Sequence, residues 1–203
     1  MRTNCINILL AGIAICDIYH TSIIINDRIL EVLEKETCWN RNNYIIQTAL
    51  SYILAFYDVL RRLGANLEIF MALIRFLVVK YPLKPVFQNL STSGFGVKLI
   101  LVNFVFSTLV SSIYFINSFL VPDLEWVPSP QCHMENSTEI HYIKRLSDGF
   151  MTNKVFNIRN FMVFSGSFKI LPAIFLPILT FLLIKELRIT RKNSKAISSS
   201  SQR

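Results

Sequence analysis

The sequence predicts an all-α protein integral to a membrane, and three observations lead there. Long apolar stretches alternate with short polar ones, so the 203 residues are 52% hydrophobic and only 17% charged, with a mean hydropathy of +0.44. A soluble domain typically carries about 25% charge. Four of the stretches reach the roughly 20 residues that a helix needs to cross the hydrocarbon core. The connectors between them alternate in charge, as loops on opposite sides of a bilayer do.

The first span runs from about Cys5 to Ile25 and the second from about Tyr44 to Val79. The third covers about Val97 to Val121 and the fourth about Phe161 to Ile184, and the whole chain, 1–203, reads as a single transmembrane domain. Each span is bounded by polar or Pro-containing text, which fixes its ends to within a few residues. Between 78 and 98 the charges are Lys80, Lys84 and Lys98 with no acid, and from Lys185 onward Glu186 is the lone acid among Lys185, Arg188, Arg191, Lys192, Lys195 and Arg203. Between 27 and 44, by contrast, stand Asp27, Glu31, Glu34 and Glu36, and between 122 and 154 stand Asp123, Glu125, Glu135, Glu139 and Asp148. The excess of Lys and Arg places the N-terminus, the loop in the 80s and the C-terminal tail in the cytoplasm. A rival reading takes Met1-Arg2 and the apolar run Ile6 to Ile15 as a signal peptide cleaved near Cys16, but the run resumes after Asp17 and reaches Ile25.

The net charge of +8 invites a nucleic-acid reading. The cations flank apolar stretches, however, and form no basic face with interleaved aromatics, so no nucleic acid is expected as a partner. Enzyme and cofactor signatures are missing too. The three His (His20, His133, His141) have no metal-ligand spacing, and there is no HExxH, GxSxG or Gly-rich phosphate loop. The sequence therefore predicts no enzyme, no cofactor and no metal site, with membrane lipid as the first partner.

Four cysteines divide between span and loop. Cys5 and Cys16 lie inside the first span, where thiols usually pack, while Cys38 and Cys132 fall one in each outer loop, where an oxidised pair persists. Cys38 and Cys132 are accordingly expected to bridge, the other reading being two unrelated thiols. Of two glycosylation sequons, at Asn89 and Asn136, Asn136 lies in an outer loop and is expected to be modified. Charges inside spans cost roughly 2.5 to 3.5 kcal/mol each at the bilayer centre and so point to function. They are Asp17 in the first span, Asp58, Arg61, Arg62, Glu68 and Arg75 along the second, and Lys169 in the fourth. Asp58 lies about 25 Å above Arg75 by helical rise, and Lys169 about 24 Å above Lys185, which puts Asp58, Arg61, Arg62 and Lys169 in one polar layer. That layer is either a structural ion pair or the wall of a ligand pocket, with an excess of cations that suits an anionic ligand group.

The order of these pieces resembles the rhodopsin-like receptors. Arg75-Phe76-Leu77-Val78-Val79-Lys80-Tyr81-Pro82-Leu83 is similar to the end of their third helix, and Asn7 with Asp17 ten residues later is similar to their second. Phe70-Met71-Ala72-Leu73-Ile74-Arg75 and Lys169-Ile170-Leu171-Pro172 through Leu176-Pro177-Ile178-Leu179 resemble the nematode serpentine receptors of class W, chemoreceptor-like proteins related to FMRFamide-type peptide receptors. The resemblance covers nearly the whole chain. It implies that the four spans are helices two to five of a seven-helix bundle, with helices one, six and seven outside this sequence.

By that resemblance Asp17 is the carboxylate that tunes activation, and Arg75 is the arginine that engages a heterotrimeric G protein. Tyr57, Asp58, Arg61 and Arg62 line the ligand wall, with Lys169 opposite. The ligand is then a peptide or a small chemosensory molecule, and the location is the plasma membrane. The chain departs from the family pattern in two places. Ile74 stands where the family has Asp before the arginine, and Leu50 stands where it has a helix-three cysteine, leaving Cys38 as the partner for Cys132. Activation in such receptors swings helix six outward, so the chain alone is expected not to signal. The alternative reading is a four-span structural or accessory membrane protein.

Overall fold

The computed structural model describes residues 4–37, 42–81, 84, 89–123, 140–152 and 157–200. Four long helices carry most of the chain. They are α1 (Asn4–Thr37), α2 (Tyr44–Lys80), α3 (Ser93–Ile116) and α5 (Ile158–Ser200), with a short helix α4 (Asp148–Thr152) before the last. Strands β1 (Ser118–Asp123) and β2 (His141–Leu146) form a two-stranded antiparallel sheet. Among the described residues, three helices are long and apolar enough to cross a membrane: Cys5–Leu33, Ser93–Ile116 and Ile158–Arg191. The 37-residue α2 is longer than any of these needs to be, but its charges from Asp58 to Arg75 interrupt the apolar text.

The helices start where the sequence supplies a cap. The Asn43 side chain accepts from Ile45 N at 3.1 Å, and the Asn157 side chain from Asn160 N at 2.9 Å. Thr92 and Ser147 present hydroxyls to Phe95 N and Phe150 N. Each cap takes up a donor that a helix start leaves open. Within the apolar helices, hydroxyls return to their own backbone. Thr21 donates to Asp17 O and Ser22 to Ile18 O on α1, and Ser112 donates to Thr108 O on α3. That back-bonding lets a polar side chain stay in an apolar span. Helix α5 runs on through Pro172 and Pro177, each of which removes a backbone donor.

The apolar segment 97–121 departs from the expectation of one continuous span. Helix α3 stops at Ile116, Asn117 Nδ2 bonds back to Ile113 O, and Ser118 begins a strand. The expected helical membrane bundle stands, and this short hairpin is added to it. In its register Pro122 faces Tyr142. Tyr142 N turns away from β1 to Asn42 O, at 2.9 Å. That pair is therefore one whose backbone groups point outward, the position in which a proline costs no ladder bond.

The fold divides into two compact units, and each long helix contributes to both. The first unit comprises Met1–Cys16, Arg62–Val105 and Ser165–Arg203, and the second comprises Asp17–Arg61 and Phe106–Phe164. In the first unit Cys5, Leu9 and Leu67 are wholly buried, with Ile13, Cys16, Leu63, Ile74 and Leu179 close behind. The helices there meet at glycines. A Cβ on Gly96 would stand 3.2 Å from Cys5 Sγ and 3.4 Å from its Cα and O, and one on Gly64 would stand 3.3 Å from Cys16 Cβ. Small residues allow backbones to approach in just this way within membranes. Cys5 and Cys16 are both buried and in no disulfide.

The second unit is aromatic. Tyr19 meets Phe56 edge-on at 5.2 Å between ring centroids, and Tyr52 meets Phe115 at 5.0 Å, which joins α1 to α2 and α2 to α3. Val110, Phe150 and Phe161 form its buried cluster, ringed by Ile113, Tyr114, Leu146 and Ile158. The hairpin is tied to the start of α2 by the Tyr44–Tyr142 ring contact and by a polar chain in which Gln47 donates to Asn42 and Asn42 bonds to His141.

Candidate functional site

The residues expected to form a ligand wall lie in the middle of α2, and they meet different partners. Tyr57 is half-buried, and its ring stacks on His20 of α1 at 5.0 Å between centroids with 16° between planes. It also lines a cavity of about 550 Å³ between the two helices in the second unit, together with Ile23, Asp27, Leu50, Ile53 and Leu54. That volume is in the range of sites that hold small molecules or a peptide side-chain cluster. One residue further on, half-buried Asp58 accepts a hydrogen bond from Ser111 Oγ of α3 at 3.0 Å.

Arg62 is the most extreme residue of the set. It is 0% exposed and the largest of the fully buried side chains, and its Nη2 donates to Ser165 Oγ of α5 at 3.2 Å within the first unit. A cation held this deep in a helical bundle is expensive and marks a site that packing alone would not choose. Asn66, one turn further along α2, and Asn103 of α3 are also buried in this unit. Arg61 by contrast is exposed, so α2 turns the two adjacent arginines to different surroundings. Lys169 lies on α5 one turn beyond Ser165, and its side chain is outside the described residues.

At the other end of α2, Arg75 is exposed while its neighbour Ile74 is 4% exposed. The residue that takes the family's acidic position thus packs into the first unit and offers Arg75 no carboxylate. Lys80 and Lys84 follow, with Lys80 Nζ over the Phe76 ring at 5.3 Å and Lys84 Nζ over the Tyr81 ring at 5.1 Å. Asp17 is exposed on α1. Cys38, Cys132 and Asn136, expected to bear the bridge and the glycan, lie outside the described residues. Among the described residues no group of three His, Cys, Asp or Glu could hold a metal ion.

Several residues of this arrangement carry no signal that singles them out in the sequence. Ser111 and Ser165 are two hydroxyls in a Ser-rich chain, and His20 shares no motif with another His. Ser107 and Ser111 stand one turn apart on α3 and are both buried, and such spacing of small polar residues in an otherwise apolar span was the available clue.

Charge separates the two units as sharply as packing does. Of the 13 Asp and Glu, the first unit holds only Glu68 and Glu186, whereas most of the 21 Lys and Arg belong to it. Apolar helices of membrane-crossing length and a basic excess in one unit are the features of a membrane protein. No curated protein matches the chain. The family model of the serpentine type 7TM GPCR chemoreceptor Srw matches residues 1–203. The chain therefore belongs to the Srw family of serpentine chemoreceptors and is a multi-pass membrane protein of the G-protein-coupled-receptor type.

Proposed function

We propose that the protein binds a peptide or small chemosensory ligand through its second unit and engages a heterotrimeric G protein through its first, at the plasma membrane with both ends of this chain cytoplasmic. In this reading α2 is the fourth span beside the three apolar ones. The observation that carries it is the arrangement of α2 itself. One helix presents half-buried Tyr57 at a cavity of the second unit, with half-buried Asp58 next in sequence, and carries exposed Arg75 in the first unit. The basic excess of the first unit supports a cytoplasmic placement for it.

The test measures association of a purified G-protein heterotrimer with the chain in lipid nanodiscs. Arg75→Ala should weaken capture at least about tenfold, because it removes the exposed cation offered to the partner, while Arg159→Ala should leave capture unchanged. Equal capture by the wild-type chain and Arg75→Ala would overturn the coupling role and favour a four-span accessory protein.

A further inference from the structure

The last turns of the apolar part of α5 carry a second, smaller cavity in the first unit. It measures about 190 Å³ and is lined by Phe181, Ile184, Lys185, Arg188 and Ile189. Phe181 is 69% exposed and Ile184 44%, so an apolar wall lies open beside two cations. The volume is well below the roughly 300 to 1,000 Å³ of pockets that hold drug-sized ligands, and it suits a group the size of a phosphate with its ester. The position along the helix matters as much. The membrane-crossing stretch of α5 ends at Arg191, so the cavity lies where the span gives way to the polar tail.

Helical spacing sorts the charges. Lys185 and Arg188 are three residues apart and share a face with Phe181, whereas Glu186 stands about 100° around the helix from Lys185. Glu68 is the other acid of this unit and lies on α2. The cavity therefore sets the cations Lys185 and Arg188 among the apolar Phe181, Ile184 and Ile189, with an arginine fork that matches a phosphate.

We propose that this groove on α5 seats an anionic phospholipid, with the headgroup phosphate against Lys185 and Arg188 and an acyl chain against Phe181 and Ile184. The inference rests on the orientation given above only for the leaflet that supplies the lipid. Binding itself is tested in detergent micelles, where orientation plays no part. Fluorescent phosphatidylinositol bisphosphate should bind the full chain more tightly than fluorescent phosphatidylcholine. The double variant Lys185→Gln/Arg188→Gln should lose about tenfold or more of that affinity, each basic residue near a membrane surface being worth about fivefold. Arg145→Gln/Arg159→Gln, which removes two exposed cations from the second unit, should bind as the wild type does.

Equal affinity for the two lipids, or an unchanged affinity in the Lys185/Arg188 variant, overturns the site. Soluble inositol trisphosphate that displaces the lipid at equal concentration overturns the lipid as occupant, since the apolar wall would then contribute nothing. Orientation has its own readout in cells, a glycan lost in Asn136→Gln. A glycan on Asn89 instead, beside intact micelle binding, would reverse the orientation and leave the lipid site standing in the opposite leaflet.

Discussion

In the first unit the helices meet where side chains are smallest, Cys5 on Gly96 and Cys16 on Gly64. In the second they meet where side chains are largest, Tyr19 on Phe56, Tyr52 on Phe115 and Phe150 on Phe161. The same four helices supply both units, so the difference lies in the residues and not in the architecture. Close backbone approach leaves little room for rearrangement, and the same unit holds fully buried Arg62. The second unit also holds the larger of the two cavities, lined by Ile23, Leu50, Ile53 and Leu54 with Tyr57. The comparison teaches that this chain reserves tight contact for its basic unit and open space for the unit that holds Tyr57 and Asp58.

The two modes of packing should fail in opposite ways. Phe150 is 3% exposed on the five-residue helix α4 and contacts Phe161 at 5.9 Å between centroids. Phe150→Ala should lower stability by about 3 kcal/mol, as loss of a buried aromatic does. Thermal unfolding in detergent, followed by near-ultraviolet circular dichroism, checks this, and a midpoint within a degree of wild type would show that α4 does not hold the unit. In the first unit adding atoms should do the damage. Gly96→Ala should cost about 1 to 2 kcal/mol, because its methyl meets the Cys5 backbone. Gly94→Ala, two residues earlier on the same helix with nothing within 4 Å of the added Cβ, should be neutral or gain roughly 0.5 kcal/mol. If the two alanines behave alike, close approach is not what joins α1 to α3.

The helices and the family were legible in the sequence because both depend on text that runs continuously, apolar stretches and ordered motifs. The hairpin was not. Phe119-Leu120-Val121 reads as the tail of a span, and what makes it a strand is pairing with 143–145, more than 20 residues further along the chain. Local periodicity carries no trace of such a partner. Asn117, which closes α3, and Pro122 were the visible breakers. The caps Asn43, Thr92, Ser147 and Asn157 were also readable, each being a favoured residue just ahead of an element. For the site, charge inside a span drew attention to Asp58 and Arg62. Their partners Ser111 and Ser165 are ordinary hydroxyls whose role comes only from the neighbouring helix.

Lys144 gives the smallest expected effect and the finest test of the contrast between units. It is a cation in the acid-rich unit, yet its amine lies over aromatic rings, 5.1 Å from the Tyr114 centroid and 5.7 Å from that of Phe115. Covering the amine with apolar surface pushes its pKa below the ordinary 10.5. Ring faces also attract a cation, which works the other way. With desolvation the larger cause, the unfolded chain binds more protons than the folded one between the lowered folded pKa and 10.5. Stability contributed by Lys144 should therefore rise with pH across that window and be fully present above it. Lys144→Met removes the titrating group and keeps an unbranched apolar stem. The stability difference between wild type and Lys144→Met should accordingly shift in favour of wild type as pH is raised towards 10.5, while titration of every other group cancels between the two. Parallel curves would mean that water still reaches the amine, and a shift in favour of Lys144→Met would mean that the rings of the second unit hold Lys144 as a cation.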